Sequence, residues 1–153
     1  MAEPHSYALS SRLSQLIGRT VTFVETTAEP GTNTKQVYGV YTVLPHETAI
    51  IVQADLPLLG SFAGALLGFP DCVVREHLQL SQIEEVLRDA IHEVLNITSA
   101  AITNEGRAVF IKMVTDPAYI DGAAGGVFAR PDRRTNFNVA VDGYQGGMFR
   151  EII

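Results

Sequence analysis

The chain has 153 residues, 46% of them hydrophobic, enough for one folded globular domain over its whole length, residues 1–153, with a sizeable core. A net charge of −6 argues against general nucleic-acid binding, because that affinity comes from clustered Lys and Arg neutralising phosphates. The single cysteine, Cys72, excludes an internal disulfide and any multi-cysteine metal site, and it reads as a small buried apolar residue.

The start, MAEPHSYALSSRL, lacks the basic-then-apolar pattern of a signal peptide. No segment reaches the roughly 18 uninterrupted apolar residues of a membrane span, so a cytoplasmic protein is expected. Ser6 to Ile17 reads as a short helix with Leu9, Leu13, Leu16 and Ile17 inward and Gly18 as its stop. Arg19 to Thr26 alternates as a half-buried strand, with Val21, Phe23 and Glu25 on one side. Ala28 to Thr34 is turn-rich and reads as an exposed loop. Gln36 to Leu44 and Thr48 to Gln53 read as two further strands, joined by a hairpin at Pro45-His46-Glu47 with His46 in solvent.

Asp55 to Phe69, DLPLLGSFAGALLGF, follows as a strongly apolar helix with Asp55 as N-cap, Pro57 in its first turn and Gly68 as C-cap. Pro70 to Gln79 reads as a polar connection. Ser81 to Ala101 has the longest helical periodicity, with Ile83, Val86, Leu87, Ala90, Val94 and Ile97 as its apolar stripe. Ser81 and Glu84 have the spacing of a capping box at its start. Beyond it, Asn104-Glu105-Gly106 is a turn and Arg107 to Thr115 a strand ended by Asp116-Pro117. Ile120 to Thr135, with three glycines and three arginines, reads as a loop. Asn136 to Asp142 and Gly146 to Ile153 form a strand pair turning at Asp142-Gly143. Short hairpin connections predict an α+β fold, a mainly antiparallel sheet with helices packed on one face.

One polar constellation in the Ser81–Ala101 helix has the spacing of a site: Asp89, Glu93 and Asn96, written DxxxExxN. With Ala90 pointing at the core, about 100° per residue puts Glu93 about 60°, Asp89 about 100° and Asn96 about 120° to the same side. An acid and an amide so placed reach one external target. The same row is more often only a solvated helix face, and geometry by itself favours that reading. GAAGG matches no phosphate-cradling motif, and GxGxxG, GxxxxGK[ST], HExxH and GxSxG do not occur.

These residues resemble the CheC/CheX/FliY family of chemotaxis phosphatases. The family motif is Asp or Ser, three residues, Glu, two residues, Asn, and a Pro some twenty residues on; Asp89, Glu93, Asn96 and Pro117 fit it, the gap to Pro117 being slightly short. SFAGALLGFP resembles the small-residue helix before the motif helix, and LSQLIGRTVTFVE resembles the first helix-to-strand passage. The first helix, SYALSSRLSQL, lacks the second Glu…Asn pair of the CheC type, so the chain is most similar to the single-site CheX type.

The resemblance implies a CheX-like domain, dimeric, that hydrolyses the aspartyl-phosphate of a CheY-like receiver domain. Glu93 and Asn96 would be catalytic, with Asp89 and Pro117 as supporting motif. No cofactor is expected on this chain, Mg²⁺ coming from the receiver. Two alternatives stand beside it: a catalytically inactive dimeric module that binds a receiver or another signalling partner, and a small-ligand protein in which Arg133 and Arg134 contact an anion.

Overall fold

The computed structural model describes residues 5–31, 33–80, 82–103 and 106–153. Helix α1 (His5–Ile17) leads into strand β1 (Val21–Thr26), then β2 (Gln36–Leu44), β3 (Thr48–Asp55) and helices α2 (Leu56–Leu67), α3 (Asp71–Leu78) and α4 (Glu85–Thr98). Strand β4 (Arg107–Val114), a 3-10 turn at Pro117–Tyr119, helix α5 (Gly122–Ala129) and strands β5 (Arg134–Val141) and β6 (Tyr144–Ile152) complete the order. One six-stranded sheet runs β1-β5-β6-β3-β2-β4, and each pairing is antiparallel. The expected α+β class is what the chain adopts.

β2 and β3 lie inside the sheet and are buried on both faces, which is why they read as near-continuous apolar runs. Val37, Tyr41, Ile50 and Val52 join a core shared with Leu9, Leu13, Phe62, Leu87, Ile91 and Leu95 of α1, α2 and α4. Tyr38, Val40 and Ile51 join a smaller cluster with Ile120 and Ala124 on the opposite side.

Five local readings need correction. Residues 122–129 form α5 instead of a loop. Glycine disfavours helix by about 1 kcal/mol per residue relative to Ala, but Ile120, Ala124, Val127 and Phe128 pack on the sheet at helical spacing, and Phe128 meets Tyr38 edge-on at 5.7 Å. The helices therefore cover part of the second face as well as the first. Asp71–Leu78 is helix α3, not a bare connection. Pro70 sets its entry, Arg75 bonds back to Asp71 at 2.6 Å, and buried Val74 seats it on α2. Cys72, on its outer side, is exposed.

Asp55 stands at the N-cap of α2 without capping it. Its carboxylate instead accepts from Gln36 Nε2 at 2.6 Å and the Met148 amide at 2.8 Å, joining the helix start to β2 and β6. Glu25 lies on the same side of β1 as Val21 and Phe23, opposite Phe137, but is exposed near the strand's end. Ser81 lies outside the described residues, as do Asn104 and Glu105 of the turn before β4. Glu84 is itself the N-cap of α4, where the capping-box reading required the third helical position.

Candidate functional site on helix α4

α4 packs beside α2, with its Leu95 against Gly39 and Tyr41 of β2. Gly39 of β2 leaves close room for it: a Cβ there would stand 3.2 Å from Leu95 Cδ2. Two residues on, the buried Tyr41 hydroxyl donates to the Leu95 carbonyl at 2.6 Å. Leu95 is one of the last four carbonyls of the helix, which have no partner within it. The next three accept from Ser99, Ala100 and Ala101 amides at 3.2, 3.1 and 2.9 Å. Burial raises the Tyr41 phenol pKa above its ordinary value. The helix end carrying Asn96 is thus tied to β2, one strand in from the sheet's edge.

The buried positions of α4 are Leu87, Ala90, Ile91, Val94, Leu95 and Thr98. Val86 is 45% exposed and Ile97 only part-buried, so the apolar stripe is rotated from the expected one. At about 100° per residue the centre of burial lies roughly 70° from Ala90, away from Glu93. Asp89, Glu93 and Asn96 are all exposed and stand on the outermost crest of the helix, not beside the stripe. The cause is the tight seat of Leu95 over Gly39 and Tyr41, a tertiary constraint.

None of the three side chains has a hydrogen-bond or ion-pair partner among the described residues, although the Asn96 carbonyl accepts from Ser99 Oγ at 2.6 Å. The sequence spacing does place them on one face. Pro117 is exposed in the 3-10 turn beyond β4. That turn borders the opposite flank of α4: Tyr119 shares a cavity with Arg88 and His92, and the three crest residues do not line it. His92 packs edge-on against Phe110 of β4, ring centres 5.8 Å apart.

Sequence reasoning passed over Tyr41 and Gly39, which position the site. A glycine and a tyrosine of one face inside a buried strand were the available signal. Arg133 and Arg134, the alternative anion contacts, are exposed at the start of β5, remote in the sheet order from β2 beneath α4. Among the described residues no group of three or more His, Cys, Asp or Glu side chains is arranged to hold a metal ion. No described helix is long and apolar enough to cross a membrane.

No family model and no curated protein matches this sequence. Solved structures do match in fold. The chain is similar to Thermotoga maritima FliY, with a TM-score of 0.60 and 13% identity over 97% of this chain and 83% of that one. It is similar to a chain in the FliG–FliM complex from H. pylori, with a TM-score of 0.59 and 10% identity over 96% of this chain and 85% of that one. It is also similar to the chemotaxis protein CheX from Vibrio vulnificus, with a TM-score of 0.55 and 13% identity over 99% and 96%. The fold is therefore the one expected from the CheC/CheX/FliY resemblance, shared over nearly the whole chain.

Proposed function

We propose that this protein is a CheX-type phosphatase that hydrolyses the aspartyl-phosphate of a CheY-like receiver domain, working in the cytoplasm as a dimer. The observation that carries the reading is the crest of α4: Asp89, Glu93 and Asn96, exposed and without side-chain partners among the described residues, on a helix anchored to the core, in a fold that FliY and CheX structures share. A free polar row on a rigid helix is suited to meeting another protein's site, because its geometry is set before docking.

The chemistry required is modest. An acyl phosphate is an activated ester, and the receiver supplies its own Mg²⁺ and Lys. In the docked complex the Asn96 amide oxygen accepts a hydrogen bond from a water and holds it in line with phosphorus, acting through position and not by proton abstraction. Glu93, about one turn earlier, pairs with the receiver's lysine and fixes the register. Asp89 supports that contact at the start of the crest. The oxygen of the water forms the new bond to phosphorus as the bond to the aspartyl oxygen breaks, releasing inorganic phosphate and the free carboxylate.

The test is incubation of the full chain with phosphorylated receiver domains, following phosphate release. Wild type accelerates release over the receiver's own rate; Asn96→Ala returns it to that rate while still binding. Equal release by Asn96→Ala and wild type overturns the assignment.

A further inference from the structure

α4 has a second flank that this chemistry leaves unused. Cavities of about 590 and 410 Å³ meet along it, sharing Ile83, Arg88 and Thr115. Together they form one groove from Lys35, just before β2, to Tyr119 beyond β4.

The lining is chemically one-sided. Its charged residues are Lys35 and Arg88, with His92 between the helix and β4, and no Asp or Glu lines either cavity. That composition runs against the chain as a whole, which has 17 acidic residues to 11 basic. Of the acids adjoining the groove in sequence, Asp89 and Glu93 stand on the exposed crest of α4 and two others are engaged elsewhere. Glu84 Oε2 lies 3.3 Å from His77 Nδ1, and Asp116 Oδ1 accepts from the Ala118 amide at 2.9 Å.

Between the cations the lining is mixed, with Val37, Leu78 and Ile83 beside the polar Gln36, Gln82 and Thr115. Leu80, 46% exposed, stands on one rim and Tyr119, 69% exposed, on the other. The Tyr119 backbone is fixed: Lys112 Nζ donates to its carbonyl at 2.9 Å and to Asp121 Oδ1 at 3.0 Å. A small-molecule site buries most of its ligand. Here Lys35, Gln82, Arg88 and Thr115 are all exposed, so the trough fits an extended stretch of another chain better than an enclosed ligand.

We propose that this groove binds an acidic segment of a partner protein, its carboxylates meeting Lys35 and Arg88 and a large apolar side chain lying between Leu80 and Tyr119. The inference rests on the reading of α4 as a docking helix, and it adds a second contact on the flank opposite Glu93. Charge complementarity of this kind sets partner choice and association rate.

The probe is a short fluorescein-labelled peptide of Asp and Glu alternating with Leu and Phe, titrated into the full-length protein by anisotropy and backbone amide shifts. Controls are the same peptide with Lys replacing the acids, and sodium phosphate. The expected result is saturable binding with shifts at Gln82, Arg88 and Thr115. Lys35→Glu combined with Arg88→Glu weakens it about tenfold or more, and Lys35→Ala with Arg88→Ala weakens it less. Arg12→Glu, the same charge reversal made once at an exposed position of α1, leaves it unchanged. Equal binding of the Lys peptide, unaltered affinity in the double variant, or identical shifts from phosphate alone overturns the proposal. Phosphate release from receivers is measured in parallel. A protein that hydrolyses receivers but fails the peptide test loses only the groove; one that binds the peptide here but releases no phosphate loses only the phosphatase reading.

Discussion

α1 and α4 lie against the same core and put their polar residues to opposite uses. On α1, Ser10 Oγ accepts from the Phe23 amide at 3.0 Å and Ser14 Oγ from the Val21 amide at 2.9 Å, so its hydroxyls stitch the helix to β1. On α4, Asp89, Glu93 and Asn96 point away from the protein and the anchoring is done from the strand side by Tyr41. A helix whose polar groups satisfy neighbouring backbone has a structural role; one held by its neighbours can present its own polar groups outward. This difference locates a single candidate site on α4 and none on α1.

The largest effect is expected where the comparison is attacked directly. Glu93→Ala should weaken binding of the phosphorylated receiver and lower phosphate release by about 100-fold at sub-saturating receiver, the loss of a charge-assisted contact plus misplacement of the water. Gln15→Ala, an exposed polar change on α1, should leave release within about twofold of wild type, as surface substitutions away from a site do. A large loss from Gln15→Ala would erase the distinction between the two helices.

Next in size is a change that should disturb the α2 support without touching the crest. A Cβ at Gly64 of α2 would lie 2.1 Å from Val74 Cγ2, and Val74 is fully buried with a stiff branched side chain. Gly64→Ala should therefore cost about 1–3 kcal/mol in urea unfolding, with the midpoint moved and the slope retained. Phosphate release per folded molecule should stay unchanged. A stabilised variant would show that α3 yields easily and that the packing is loose.

Tyr41→Phe separates anchoring from chemistry. Removing the hydroxyl leaves the buried Leu95 carbonyl without its partner and should cost about 1–2 kcal/mol. It also predicts a pH dependence. The folded phenol pKa is raised from 10.0 by burial, so the native state keeps a proton that the unfolded chain loses above pH 10. This contribution is whole below pH 10 and diminishes as pH rises toward the folded value. Unfolding measured at successive pH values from 9 upward should show wild type losing stability faster than Tyr41→Phe; equal slopes would remove Tyr41 as the alkaline-sensitive anchor.

The degree to which this fold was legible follows from where the forces lie. α1, α2, α4 and the strands carry their own apolar periodicity, and each was readable. α5 was not: Gly122-Ala123-Ala124-Gly125-Gly126 has loop composition, and only packing of Ile120, Ala124 and Phe128 under the sheet makes it helical. α3 was hidden because Val74 is its single buried residue. The crest residues were found by spacing, yet their direction was misjudged. Val86 and Ile97 look like stripe residues until the seat over Gly39 and Tyr41 turns Leu95 inward. The groove at Lys35 and Arg88 joins segments far apart in sequence and has no local pattern.

The smallest expected effect tests the α1 side of the comparison. Ser10 Oγ donates to the Ser6 carbonyl at 2.7 Å while accepting from the Phe23 amide at 3.0 Å. Ser10→Ala removes the acceptor, leaving a part-buried strand amide to find water, and should cost about 1 kcal/mol. Because β1 is an edge strand of the sheet, the loss should appear as faster amide exchange at Val21 and Phe23 before any change at α4. Receiver dephosphorylation should match wild type. Protection lost equally at Leu95 and Phe23 would mean that α1 and α4 open as one unit, and the contrast between a stitched helix and an anchored one would then not describe two independent elements.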